Sequence, residues 1–210
     1  MIKYWQDNSA RMMQLTIEHA RMVLIALFIA FLVALVLIAV FLRKKNWMNS
    51  LIYFFSLLYS VPSYAFFALL IPITGLGETT AIIVLAFYNE YVLLRTFITG
   101  IREVDPNYIK VARGMGMTQE EIFTKVQLPL SMPAIFSGLQ VALASTMAIA
   151  TIASTISAGG LGDLMFEGLQ TGRVVSILWG TILTVALTLV CIVILKLIEN
   201  LVISDGLEKS

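Results

Sequence analysis

The side chains that could do chemistry in this chain are few, and two of them lie inside one apolar segment. Glu90 and Arg95 stand five positions apart there, a poor spacing for a direct pair because helix neighbours are three or four residues apart. An ionisable residue within a membrane span is costly and marks a functional site by default. Glu90 is therefore a candidate for the wall of a transport path. Gln140, a partner subunit or a water-filled cavity could satisfy its carboxyl group.

Enzymatic chemistry has little support in the sequence. His19 is the one histidine and lies at the edge of the first apolar segment, with no nearby residue that would make it a base or a metal ligand. Cys191 is the one cysteine and reads as a small buried hydrophobe. The chain contains no G-x-x-x-x-G-K-[ST], so it cannot cradle ATP phosphates itself. We therefore predict a protein that is not an enzyme and has no metal or cofactor of its own.

Tyrosines gather near the second and third apolar segments, at Tyr53, Tyr59, Tyr64 and Tyr88. Quaternary ammonium ligands are bound by aromatic cages, whereas tyrosines also form belts at the membrane surface. Both interpretations remain open from the sequence. With Glu90, the residues that we predict could line a path are Tyr59, Pro62, Tyr64, Gln140, Ser145 and Ser154.

The composition points to a lipid bilayer as the solvent. Of the 210 residues, 59% are hydrophobic and 13% are charged, about half the charged fraction of a soluble domain. A spanning helix needs about 20 apolar residues, and five segments qualify, the second interrupted by Pro62 and Pro72. They cover about 22–42, 51–73, 80–101, 135–157 and 174–203. We predict an all-α integral membrane protein with one domain (16–203) and short tails (1–15 and 204–210).

Basic residues predict the orientation, because short cytoplasmic loops are rich in lysine and arginine. Seven lie on one side of a five-span chain and three on the other. The first set is Arg43, Lys44, Lys45, Arg102, Lys110, Arg113 and Lys125, and the second is Lys3, Arg11 and Arg21. This places the N-terminus outside and the C-terminus in the cytoplasm. The net charge of +1 gives no indication of nucleic-acid binding.

The segment 105–133, predicted to be cytoplasmic, contains its own helix-capping and turn signals. Asp105-Pro106 predicts an N-cap followed by proline at the first helical position, and Gly116 suits the left-handed residue after a helix end. Between them, an apolar stripe at helical spacing is formed by Tyr108, Val111, Ala112 and Met115. The sequence therefore predicts a short helix and a tight turn.

A second short helix follows the turn. Thr118 and Glu121 form a capping-box pattern, and Ile122, Phe123 and Val126 supply its apolar face. Pro129 is expected to end this helix, and Ser131 and Pro133 to start the fourth span. The small residues Ala112, Gly114 and Gly116 would let another protein approach the backbone. The alternative is an amphipathic hairpin resting on lipid headgroups.

Small residues also mark the fourth span and its outer end. Ala134, Gly138 and Ala142 stand four apart, a spacing that lets helices pack closely in lipid. They could pack within one subunit or line a path between two subunits. Five spans are few to enclose a path, so any transport model needs a dimer. Beyond the span, we expect an outer-face turn at Gly159, Gly160, Gly162 and Asp163.

The 105–133 segment carries a family resemblance. "KVARGMG" followed by "VQLP" resembles the EAA loop of ABC importer permeases, with Ala112, Gly116, Leu128 and Pro129 matching and Val126 replacing isoleucine. Lys110 and Val111 depart from the usual glutamate and alanine. In that family the loop forms coupling helices that dock on an ATPase. The coupling residues implied here are Asp105, Lys110, Ala112, Arg113, Gly114, Gly116, Glu121, Leu128 and Pro129.

Longer stretches narrow the resemblance. "IREVDPNYIKVARGMGMT" and "ISAGGLGD" are similar to permease subunits of Opu-type osmoprotectant importers, which handle glycine betaine, carnitine and choline. "SVPSYAFFALLIPITGLG" resembles their second span, with Tyr59 and Tyr64 in place of glutamine and leucine. The resemblance implies a MetI-like type I ABC importer fold in a bacterial cytoplasmic membrane.

The resemblance also implies partners. These are an ATPase dimer that binds ATP and magnesium, a second permease subunit, identical or paralogous, an external substrate-binding protein and membrane lipid. Within the family, an importer for an amino acid such as methionine is an alternative. A gradient-driven carrier is a more distant one, because the five spans lack an inverted repeat.

Overall fold

The computed structural model describes residues 1–41 and 44–203, without the side chain of Lys45, and the regular elements within them are helices. Arg43 of the basic group and the predicted tail at 204–210 lie outside the described residues. The helices are α1 (Ile2–Phe41), α2 (Lys45–Ser60), α3 (Ser63–Thr74), α4 (Glu78–Arg102), α5 (Pro106–Gly114), α6 (Gln119–Ile122), α7 (Leu128–Ile152), α8 (Gly162–Thr171) and α9 (Val174–Val202).

Helix α1 is much longer than a membrane span. Its 40 residues reach about 60 Å at 1.5 Å per residue, twice the hydrocarbon thickness of about 30 Å. The predicted tail at 1–15 is therefore almost entirely helical. Met12 and Leu15 are buried against Leu161 and Leu164, so the first half of α1 is held by the segment that joins α7 to α9.

Two contacts fix the direction of the helices. Arg21 of α1 is ion-paired with Glu78 at the start of α4 (2.5 Å), and near their other ends Ile38 and Ile101 line one cleft. The two helices therefore run parallel, and α2 and α3 together must return the chain. Four long helices can span the membrane, and the pair α2–α3, bent by 97°, supplies the fifth crossing. Pro62 lies at the bend, whereas Pro72 lies inside α3.

The core forms where α4 packs between α1 and α7. A Cβ atom added to Gly138 of α7 would lie 2.1 Å from Thr96 Oγ1 of α4, and one added to Gly100 would lie 2.4 Å from Ala134 Cβ. Ala142 is fully buried as well. The small-residue spacing of α7 thus serves helix packing within this chain, which was one of the two alternatives.

The predicted helix end at Pro129 is wrong. Helix α6 continues through a π-helical turn at Phe123–Gln127 into α7, and the Leu128 amide donates to the Phe123 carbonyl oxygen. A π turn inserts one extra residue into the helix, so the Pro129 ring lies next to a wider turn. The backbone N–H that proline lacks is missing only where the hydrogen-bond pattern changes from π to α. The predicted fresh start at Ser131 and Pro133 is also wrong, because both residues lie inside α7.

The outer-face turn is shorter than predicted and is followed by a helix. After a 3₁₀ turn (Ala153–Ile156), the chain reverses at Ser157, Gly159 and Gly160, which have φ angles of 62°, 78° and 84°. Gly162 was predicted to belong to this turn but is the first residue of α8. An added Cβ there would lie 2.0 Å from the Thr151 carbonyl oxygen, so its role is close packing.

Candidate functional site

Helix α5 begins as its sequence predicts. The Asp105 side chain caps the helix by accepting a hydrogen bond from the Asn107 amide (2.8 Å), and Pro106 takes the first helical position. A proline there loses no hydrogen bond, because the first amides of a helix have no partner within the helix. The start of α5 is therefore fixed by local chemistry.

The turn after α5 is a Schellman motif centred on Gly116. The Gly116 amide donates to the Arg113 carbonyl oxygen (3.0 Å) and the Met117 amide to the Ala112 carbonyl oxygen (3.2 Å), the paired pattern of this motif. Gly116 has a φ angle of +85°, which other residues adopt only with strain. No described atom lies within 4 Å of an added Cβ. Glycine is thus required here by the backbone conformation.

Helix α6 starts with the predicted capping box, which is confirmed. The Thr118 amide donates to Glu121 Oε2 (3.0 Å), and the Glu121 amide donates to Thr118 Oγ1 (3.3 Å). Lys125 adds an ion pair to Glu121 Oε1 (3.0 Å). The hydrogen bond from the Thr118 amide, with that from Lys125, lowers the pKa of Glu121 to about 2. Glu121 is therefore an anionic anchor of the turn, and it precedes the fourth span predicted at 135–157.

The apolar stripe of α5 faces away from the rest of the chain. Tyr108, Val111 and Met115 are 50%, 63% and 78% exposed, whereas Ala112 is 4% exposed. Ala112 therefore packs inward, contrary to the prediction that it would let another protein approach the backbone. Gly114 has open space around it, as Gly116 does. A short helix that shows its apolar side chains to the outside presents a surface for a partner or a membrane.

Helix α4 carries the candidate acid in the membrane. Glu90 lies at the midpoint of α4 and is only 4% exposed. Among the described residues, neither oxygen of its carboxyl group has a hydrogen-bond partner. A charged carboxylate in such a place is costly unless a cation pairs with it. Glu90 is thus the least satisfied acid in the described part of the chain.

Gln140 does not approach Glu90, so it is not the predicted partner of that acid. Its Nε2 donates to Glu199 Oε2 (3.0 Å) and so joins α7 to α9. Two further candidates for the path form hydrogen bonds to backbone carbonyl groups one turn earlier in the chain. Ser145 Oγ donates to the Ala142 carbonyl oxygen and Ser154 Oγ to the Thr151 carbonyl oxygen, both at 3.0 Å.

Three tyrosines meet at the bend between α2 and α3. The Tyr59 ring lies 4.9 Å from the Tyr91 ring and 5.4 Å from the Tyr88 ring, between centroids. Tyr88 donates its hydroxyl to the Val61 carbonyl oxygen beside Pro62. Arg95 lies over Tyr91, with its guanidinium carbon 5.8 Å from the ring centroid. The Tyr59 ring thus contacts both rings of α4, and the cluster joins α2 to α4 at the bend.

Comparisons with known proteins identify the chain. The family described as "Binding-protein-dependent transport system inner membrane component" matches residues 26–204. This chain belongs to that family. The permease is 33% identical over 209 residues to the choline transport system permease protein OpuBB of Bacillus subtilis (strain 168), covering 100% of this chain and 96% of that protein. It is 36% identical over 190 residues to the carnitine transport permease protein OpuCB of Listeria monocytogenes, covering 90% and 87% respectively.

The fold is likewise matched by a solved structure. A chain from inward-facing conformations of the MetNI methionine ABC transporter superposes with a TM-score of 0.78 at 21% identity, covering 91% of this chain and 95% of that one. The predicted family and the MetI-like fold are therefore confirmed. The permease is a multi-pass inner-membrane component of a binding-protein-dependent transport system and is not the catalytic subunit.

The loop and helix that follow α7 are tied to the first half of α1. The Gly160 amide donates to Glu18 Oε2 (3.3 Å), and Arg11 is ion-paired with Glu167 of α8 (2.7 Å). Burial raises the pKa of Asp163, partly offset by the charge of Arg11. Of the predicted outer-face residues, Gly159 and Gly160 thus meet α1, while Gly162 and Asp163 belong to α8.

Several polar residues of the permease were missed by sequence reasoning. Glu199 lies in the fifth span near its end, and its partner Gln140 is 59 residues away. Asn89 accepts a hydrogen bond from Thr146 Oγ1 (2.7 Å) in the core. Tyr91 could have been found with the other tyrosines, since Tyr88 and Tyr91 are three residues apart on one helix face.

The capping box yields a local prediction. Thr118→Ala removes the side-chain acceptor of the Glu121 amide, and loss of such a cap costs about 1 kcal/mol of helix stability. We expect faster hydrogen exchange at the amides of residues 119–122, measured by mass spectrometry of the purified permease. Gln119→Ala is the control and should leave exchange unchanged. Equal exchange in Thr118→Ala and the wild type would contradict the role of the box.

Proposed function

We propose that this permease forms the membrane path of an ATP-driven importer for quaternary ammonium osmoprotectants such as choline, carnitine and glycine betaine. Two permease subunits, identical or paralogous, would work with two ATPase subunits, which bind ATP and magnesium, and with an external substrate-binding protein. The observation that carries the proposal is the 105–133 segment, whose exposed apolar helix ends in a fixed turn. Such a surface suits a rigid contact with another protein.

The segment is suited to transmit movement. Because α6, the π turn and α7 form one continuous helical stretch, a displacement of the α5–α6 turn would move α7 directly. Helix α7 packs closely on α4 through Gly138 and Thr96, and α4 carries Glu90. The movement of a closing ATPase dimer would therefore be passed to the centre of the membrane through the packed helices α7 and α4. Such a link is what a coupling free energy between two sites requires.

The proposed orientation places the 105–133 segment in the cytoplasm, where an ATPase can reach it. It rests on the excess of basic residues on that side. Two of the three basic residues on the opposite side, Arg11 and Arg21, are ion-paired with Glu167 and Glu78 of the same side. Lys3 is the third basic residue on that opposite side.

The proposed substrates are supported by relatives that match nearly the whole chain. Their names describe choline transport and carnitine transport. The structural likeness to a methionine transporter, at 21% identity, supports the fold and not the substrate. Methionine is therefore a useful negative control.

The test is reconstitution of the permease with its ATPase and binding protein in liposomes. We expect uptake of labelled choline, carnitine or glycine betaine only when ATP is present on the ATPase side, and no uptake of methionine. Uptake driven by an ion gradient without ATP would overturn the importer proposal. ATP hydrolysis without uptake of any of the three solutes would overturn the substrate class and leave the coupling intact.

A further inference from the structure

We infer that the cavity at Glu90 is a binding site for the trimethylammonium group of a cationic substrate, choline above all, within the membrane-spanning part of the permease. This inference rests on the proposed function and adds a site and a charge preference to it. It starts from the unpaired carboxyl group of Glu90 and from the residues around it.

The cavity has about 210 Å³ and lies between α1, α2 and α4. A water molecule takes about 30 Å³ of liquid, so the cavity has room for about seven groups of that size. Choline has that number of heavy atoms. Ile29, Val33 and Phe87 of the cavity wall are among the exposed residues, so a ligand can enter from the surface of the chain.

The chemistry of the wall favours a cation with apolar substituents. Glu90 is its one charged residue, and the others are apolar, including the rings of Phe55 and Phe87. A trimethylammonium group presents methyl groups to such a wall, and aromatic rings attract quaternary ammonium ions. The Glu90 carboxyl oxygens are buried behind this apolar wall and have no hydrogen-bond partner among the described residues, so the carboxylate would attract the cation across the wall rather than by direct contact. An anion or an uncharged polar solute would find neither a countercharge nor enough hydrogen-bond partners.

The position of the cavity fits a path. A cation that crosses a bilayer is least stable at the midplane, because it is farthest from water there. Glu90 lies at the midpoint of α4 and would offset that cost with one buried negative charge. The wall has no basic residue, so it has no partner for the carboxylate of glycine betaine. Choline should therefore bind here more tightly than glycine betaine.

Binding can be measured on the assembled permease–ATPase complex in lipid nanodiscs, without the binding protein. The probes are labelled choline and its uncharged isostere 3,3-dimethylbutanol, in which carbon replaces the nitrogen. We expect choline to bind roughly tenfold or more tightly than the isostere, and Glu90→Gln to remove most of that difference, since an unpaired buried charge contact is worth at least that much. Glu199→Gln, which removes the other described acid of the spans, should retain the preference.

A second variant covers the case in which Glu90→Gln does not assemble. Phe87→Leu keeps the wall apolar but removes one ring, and it should weaken choline more than 3,3-dimethylbutanol because only the cation gains from the ring. Equal loss for both ligands would overturn the inference, as would equal choline binding by the wild type and Glu90→Gln.

The proposed function can fail separately. If the complete importer takes up none of the quaternary ammonium compounds, the proposed substrate class is wrong and this site falls with it. If uptake proceeds and the nanodisc complex shows no charge preference at Glu90, the site is wrong and the importer stands. Loss of complex assembly in Glu90→Gln, with choline binding unchanged in Phe87→Leu, would mean that the carboxylate pairs with another subunit, and it too would overturn the inference.

Discussion

Gly116→Val should abolish most ATP-driven uptake while leaving the membrane helices folded. Gly116 has a φ angle of +85°, and the left-handed region costs other residues about 1–2 kcal/mol, with β-branched side chains the worst case. The Schellman turn would open, and α5 would lose its fixed angle to α6. Since 1.4 kcal/mol corresponds to about tenfold in an equilibrium constant, we expect uptake in reconstituted liposomes to fall by about tenfold or more.

Two neighbouring variants separate backbone conformation from side-chain size. Gly116→Asn should keep much of the uptake, because asparagine tolerates the left-handed region. Gly114→Ala should be neutral, since an added Cβ at Gly114 meets no described atom and alanine favours a helix. If Gly114→Ala were as damaging as Gly116→Val, close approach of the partner would matter more than the turn. The role assigned to the turn would then be wrong.

Local backbone chemistry made the coupling segment predictable from sequence. The Asp105-Pro106 start, the turn at Gly116 and the capping box of Thr118 and Glu121 each depend on residues within about one helical turn of one another. Patterns of this kind are complete in the sequence, because every participant stands close along the chain. The structure reproduces all three.

The failures share the opposite property. Whether Ala112 faces inward, and whether Pro129 is absorbed in a π turn, depends on how the segment rests on the spans. The helical α8 was missed because glycines 159, 160 and 162 suggested a turn, whereas Leu161 and Leu164 are buried by Met12 and Leu15 of α1. Likewise, the pairing of Gln140 with Glu199 joins two helices whose relative position no local pattern encodes.

Gly138→Leu should destabilise the permease itself. An added Cβ already lies 2.1 Å from Thr96 Oγ1 and 2.8 Å from Thr96 Cβ, so a leucine would force α7 away from α4 at the centre of the core. Overpacking of a close contact costs about 1–3 kcal/mol and sometimes more. We expect a lower midpoint of thermal unfolding in detergent. Unfolding can be monitored by the reaction of a thiol-specific dye with Cys191, the single cysteine of the chain. Val141→Leu, at an exposed position of α7, should leave the midpoint unchanged.

A compensating pair shows whether the contact itself is responsible. Gly138→Ala alone should be destabilising, and Thr96→Gly alone should cost about 0.3–0.5 kcal/mol through helix propensity, the difference between threonine and glycine. Together they restore the space between the helices, so the double variant should be more stable than the sum of the single effects predicts. Strict additivity would mean that α4 and α7 do not meet at this point. Movement of α7 would reach α4 through this same contact between Gly138 and Thr96. Without it, the proposed route from the 105–133 segment through α7 to Glu90 would be broken between α7 and α4.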